Sequence, residues 1–121
     1  MHSATQAYDR VAKQIANPRD LEATLLLQAA SRLQAASAAA KNRKPGLDDA
    51  LLFNRKLWSI FLTSVTNTDN PLPAAIRQNV ANLGLFVMNQ TMTTLGDPRP
   101  EQVGSLIAIN REVAAGLMGR A

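Results

Sequence analysis

The stretch LLFNRKLWSIFL, residues 51–62, decides how the chain is read. Its apolar residues do not alternate, as a strand with one buried face would require; they return every three or four positions, as along one side of a helix. Projected at roughly 100° per residue, the segment and its flanks put Leu47, Leu51, Trp58, Phe61, Leu62 and Val65 on one stripe. Asn54 falls near the middle of that stripe and Arg55 at its edge. An amide buried without a partner costs about 1–3 kcal/mol, so a helix built this way must find Asn54 a partner inside a bundle.

The same arrangement recurs near the end of the chain. LIAINREVAAGL, residues 106–117, sets Asn110 among Val103, Leu106, Ile107, Val113, Ala114 and Leu117, with Arg111 following it. Between the two segments, Asn79 lies beside a stripe of Leu72, Ile76, Val80, Leu83 and Val87. Asn54, Asn79 and Asn110 are therefore expected to be structural core amides. Asn54 and Asn110 would bond to each other or to loop carbonyls and fix helix register, as a single core Asn does in coiled coils.

Proline and glycine divide the chain into about five segments, all with the helical repeat and none with a strand pattern. A short first helix is expected near residues 4–16, with Ala4, Tyr8, Val11 and Ile15 on one side. In NPRDLE, Asn17 is the candidate cap of a second helix reaching about Lys41, whose stripe holds Leu21, Leu25, Ala29, Leu33, Ala36 and Ala40. A third helix covers roughly residues 47–66. Asn70 or Asp69 is the candidate cap of a fourth, which lasts to about Leu95, where Gly96 is expected in the left-handed terminal conformation. A fifth spans about residues 99–118. The expected fold is all-α: a single domain over residues 1–121, folded as a compact bundle of about five helices with mostly antiparallel neighbours.

Composition narrows the chemistry. There is no Cys, so neither a disulfide nor a thiolate metal site can form, and the single His2 stands near the N-terminus. No nucleophile, base and carboxylate arrangement is evident, so no catalytic, cofactor-binding or metal residues are assigned and an enzyme is not expected. No apolar run approaches the roughly 20 residues that span a bilayer, and MHSATQAYDR lacks the pattern of a signal peptide, which suggests a cytoplasmic protein without membrane insertion. The net charge of +4 is scattered apart from KNRKPG, residues 41–46. That segment reads as a solvated loop.

Two segments are apolar on more than one side. Ala81, Leu85, Met88 and Met92 lie away from the expected main stripe of the fourth helix, and Phe53 and Ile60 lie opposite that of the third. Either both helices are enclosed by the others, or these six residues form a surface that receives an amphipathic helix from a partner. Methionine adapts to varied contours and suits the second role.

With these segments placed, the sequence resembles the FlaF family of flagellar biosynthesis regulators of α-proteobacteria. The resemblance is carried in order by QAY (residues 6–8), PRDLE (18–22), DALLFNRKLW (49–58), NPLPAAIRQNVANLGLFV (70–87) and LIAINREVAAGL (106–117). It implies a small helical protein that controls flagellin production and export together with a second regulator, FlbT, and that binds flagellin as a chaperone or adaptor through an amphipathic terminal helix. No cofactor is implied, and self-association is left open. The alternatives are an RNA-associated regulator of flagellin mRNA, supported by the basic balance, by KNRKPG and by Arg10, Lys13, Arg19, Arg32, Arg77 and Arg99, or an adaptor that binds FlbT alone. Against RNA, the only aromatics are one Trp, one Tyr and three Phe, and most lie in apolar helical segments.

Overall fold

A computed structural model describes residues 5–6, 18–39 and 45–119. Among these residues the chain forms four long helices: α1, Pro18–Ala39; α2, Pro45–Thr66; α3, Ala74–Gly96; and α4, Pro100–Leu117. No strand occurs among the described residues. The class is all-α as expected, with four helices rather than about five. The expected first helix lies outside the described residues except for Thr5 and Gln6, which are helical and exposed. Asn17, the candidate cap of α1, also lies outside them.

The helices follow the periodicity of their large apolar residues. On α2 the buried positions are Leu47, Ala50, Leu51, Asn54, Leu57, Trp58, Phe61 and Val65, one continuous stripe, with Phe53 buried on its flank. On α1 the buried stripe mixes Leu21, Leu25, Leu26 and Leu33 with Ala23, Ala29 and Ala30. These small residues let neighbouring backbones approach closely. The ring of Trp58 meets that of Phe61 edge to face, with centroids 5.9 Å apart and planes at 79°.

Each helix packs against the next in the chain, and α4 closes the ring against α1. α1 and α3 are not packed neighbours, and neither are α2 and α4. Glu22 and Leu26 of α1 lie near Val113 and Leu117 of α4, while Gln34 and Ser37 lie near Pro100 and Gly104, so this pair runs antiparallel. The result is a four-helix bundle with α2 and α4 on one diagonal.

Asn70 does not cap α3. Its Oδ1 accepts from the backbone N–H of Leu72 at 2.9 Å, and its Nδ2 donates to the carbonyl and hydroxyl oxygens of Ser64 at 3.2 and 3.1 Å. The side chain thus closes an Asx-type turn and ties it to the last turns of α2. The cap position of α3 is Pro73, which offers no side-chain hydrogen bond. Nor is Gly96 left-handed: among the described residues the only positive φ belongs to Gly119, at 73°. Helix α3 instead runs through Gly96 to a cap at Asp97, whose backbone N–H donates to the carbonyl of Thr93.

Candidate partner-binding surface

The two amides singled out by their position meet at the centre of the bundle. Asn54 and Asn110 are fully buried, and Asn110 Nδ2 donates to Asn54 Oδ1 at 2.7 Å. The indole Nε1 of Trp58 donates to Asn110 Oδ1 at 2.9 Å, and Asn110 Nδ2 also reaches the carbonyl oxygen of Leu26 at 3.3 Å. One amide therefore joins α1, α2 and α4, and spans the α2–α4 diagonal where the backbones themselves do not pack. Asn54 Nδ2 has no hydrogen-bond partner. The cluster is closed to solvent and offers nothing to a ligand. The arginines that follow the two amides are exposed, and Arg111 donates to Gln34 Oε1 on α1 at 3.0 Å.

Asn79 is not a core amide but lies exposed on α3. Its misplacement follows from the phase of that helix. The buried residues of α3 are Gly84, Val87, Thr91 and Thr94, with Val80 packed partly against the same core. Ile76 and Leu83, expected on the main stripe, are instead exposed. Thr91 and Thr94 can be buried because their hydroxyls donate to the carbonyls of Val87 and Gln90, at 2.6 and 2.7 Å. At Gly84 the reason is space: an added Cβ would stand 2.6 Å from Leu62 Cδ2 on α2.

The six residues expected on a partner surface do not share one environment. Phe53 is buried, only 5% exposed, and the Arg32 guanidinium of α1 lies 4.1 Å from its ring centroid. It belongs to the α1–α2 packing and is no docking residue. Ile60, Ala81 and Met88 are half-buried, and Met88 packs against the core. Leu85 and Met92 are open, at 59% and 53% exposure. Phe86, 47% exposed, joins Ile76 and Leu83 on the other flank of α3, the last two having been expected on the packed stripe. An anomalous feature did mark them beforehand: α3 carries no charged residue after Arg77, a poor composition for an ordinary solvated face.

The surface lies on the helix least tied to the bundle's centre, since α3 contributes nothing to the amide cluster. Large apolar side chains are exposed on both flanks of this one helix, with Leu27 and Leu52 exposed elsewhere. Near the start of α3, a crevice is lined by Glu22, Leu26, Phe61, Val65, Leu72, Val80, Val113 and Leu117. Its interior of about 10 Å³ is at the lower limit for a single water, so it holds no small-molecule ligand. Glu22, in the first turns of α1, is buried beside this crevice. Desolvation raises its carboxyl above the usual 4.5, and Arg19, whose Nε is 3.1 Å away, offsets part of that rise.

The basic residues considered for RNA are largely engaged within the fold. Arg19 pairs with Glu22, Arg32 covers Phe53, and Arg99 Nε meets Asp97 Oδ2 at 3.0 Å. Arg77 donates to the carbonyl oxygens of Leu72 and Asn67. Arg10 and Lys13 lie outside the described residues, as do Lys41, Arg43 and Lys44 of KNRKPG. Among the described residues no group of His, Cys, Asp or Glu is placed to hold a metal ion, and no helix is long and apolar enough to cross a membrane.

Comparison with known proteins gives no match among curated proteins and none among solved structures. A family model does match: that of the flagellar protein FlaF, over residues 4–117, nearly the whole chain. The match embraces all four helices, both amides of the central cluster and the exposed face of α3, and the chain accordingly belongs to the FlaF family.

Proposed function

We propose that the protein binds flagellin in the cytoplasm as an export chaperone or adaptor and, with FlbT, couples flagellin supply to its translation. The observation that carries this reading is the face of α3, where Leu85, Phe86 and Met92 are exposed on a helix without charge from Gln78 to Gly96. A long amphipathic terminal helix of unpolymerised flagellin has an apolar face that needs cover until assembly. Such a helix binds through apolar anchors spaced at i, i+3 and i+7, the spacing of Leu85, Met88 and Met92. The role asks for shape and apolar contact rather than catalysis, in keeping with a polar cluster sealed inside the bundle.

An RNA-binding regulator ranks second, because four of its six candidate cations have intramolecular partners. An adaptor that contacts only FlbT would present the same fold. Size-exclusion chromatography of the purified protein with flagellin monomer separates these readings. Co-elution with flagellin is expected without RNA present, and its absence both with and without FlbT would reject the proposal.

A further inference from the structure

Arginine side chains of the described residues are, with one exception, engaged within the fold. Arg19, Arg32, Arg77, Arg99 and Arg111 each meet a carboxylate, a ring, a carbonyl or an amide of the same chain. Arg55 is exposed, and among the described residues it is the one arginine whose side chain makes no hydrogen bond, ion pair or ring contact. Helix packing determines what stands beside it. Helices α2 and α3 are joined by residues 67–73 and pack against each other. Leu62 of α2 packs on Gly84 of α3, and Phe61 and Val65 lie near Leu72 and Val80, so the pair runs antiparallel.

Two turns from the Leu62–Gly84 contact toward the start of α2 stands Arg55, and two turns toward the end of α3 stand Thr91 and Met92. The inner side of this seam is closed by Leu51, Trp58, Val87 and Thr91, all buried. Arg55 and Met92 therefore lie level with each other on its outer side, with Leu52, 48% exposed, a turn beyond Arg55. A helix seated on Leu85, Met88 and Met92 has one flank over α2, and the cation beneath that flank is Arg55. We propose that Arg55 orients the bound flagellin helix, its guanidinium pairing with a carboxylate on the flank that faces α2.

The contact rests on the flagellin reading above and adds to it a charge requirement and a direction. An uncharged apolar strip holds an apolar stripe in place without fixing which flank of the guest faces which neighbour, and a charge pair at the edge fixes it. Charge also selects the occupant. Helix α3 has no charge after Arg77, and the nearest acid on the line of Arg55 along α2 is Asp48, half-buried and about 10 Å away along the axis. The guanidinium is thus not matched within the fold. Its planar donors suit a carboxylate through two parallel N–H···O bonds, so the matching group is an Asp or Glu side chain bordering the guest's apolar stripe. A single cation beside apolar side chains is no track for a phosphate backbone, which calls for several in line.

Titration calorimetry of flagellin monomer, at low and high salt, would compare the wild type with Arg55→Gln, Arg55→Glu and Lys56→Glu. Lys56 is exposed about 100° further round α2, away from the seam, so its reversal changes the net charge equally without touching the contact. Circular dichroism would verify that all three variants fold. Arg55→Gln should weaken binding several-fold and flatten its salt dependence, and Arg55→Glu should weaken it by about tenfold at low salt. Lys56→Glu should stay within about twofold of the wild type, because solvent and salt screen a charge outside the contact. Equal losses in Arg55→Glu and Lys56→Glu, or wild-type affinity in both Arg55 variants, would overturn the contact and leave the α3 site standing. A wild type that binds no flagellin would overturn the flagellin reading and the contact with it.

Discussion

At the residue scale, Asn110 and Asn54 look equivalent in sequence but differ in what depends on them. Removing the Asn110 amide strands the Trp58 indole N–H and Asn54 Oδ1 in the bundle's interior. Asn110→Ala is therefore expected to cost about 3 kcal/mol or more in urea denaturation, whereas Asn54→Ala, which loses one bond and removes an already unpaired N–H group, should cost about 1–2 kcal/mol. Equal losses would show that the cluster is not centred on Asn110. Periodicity placed both amides on buried stripes, because 3.6 residues per turn leaves little choice at the middle of a stripe. It did not reveal Trp58 as their partner, since an indole on an apolar stripe reads as bulk and its N–H is invisible in a hydrophobic pattern.

Glu22 poses a different question at the same scale. Burial raises its pKa in the folded state, so the folded protein binds the proton more tightly than the unfolded chain does. Its contribution to stability is then greatest below the unfolded value near 4.5 and is lost as pH rises through the folded value. Glu22→Gln should accordingly melt at or above the wild type at neutral pH, with the advantage shrinking as pH falls toward 4.5. Thermal melts of both proteins across that range test this. A variant that is less stable at neutral pH would mean that the Arg19 pair outweighs desolvation.

At the scale of the element, α1, α2 and α4 were legible because Leu, Ala, Val and Trp mark their buried faces directly. Helix α3 was read out of phase, and the cause is chemical. Its true inner face is Gly84, Val87, Thr91 and Thr94: one residue with no side chain, and two whose hydroxyls bond to their own helix. The glycine and the threonines look like surface residues, while Ile76, Leu83 and Phe86 look like core; only Val80 and Val87 of the expected stripe face inward. The close approach at Gly84 predicts a sign reversal. Gly84→Ala should destabilise the protein against Leu62, but in a Leu62→Ala background the helix preference of Ala should leave it stabilising by up to about 1 kcal/mol. A double-mutant cycle by chemical denaturation reads the change of sign. Additive effects would show that Leu62 does not set this contact.

At the scale of the whole molecule, three helices joined through one buried amide form the centre, and α3 completes the ring while keeping its outer face free. Membership of the FlaF family was readable from five ordered segments, because their order along the chain is far more specific than amphipathic periodicity. Which faces are open was not readable, since openness depends on how neighbouring helices are phased. The arginines engaged within the fold imply that retention of flagellin leader RNA should be weak and should lack the steep salt dependence of multiple phosphate contacts. A filter-binding series over ionic strength measures it, and tight, strongly salt-sensitive binding would restore the RNA reading.

The proposed flagellin site is the exposed face of α3, and two substitutions there test it directly. Leu85 and Met92 are open, so Leu85→Asp with Met92→Asp should leave the melting temperature nearly unchanged, as for most surface substitutions. The most direct measurement is titration calorimetry of flagellin monomer against the wild type and this double variant, with melts of both proteins alongside. Binding by the wild type is expected, with at least about a tenfold loss in the folded variant, because two charges would be buried against an apolar helix face. Undiminished binding by the double variant at an unchanged melting temperature would contradict it.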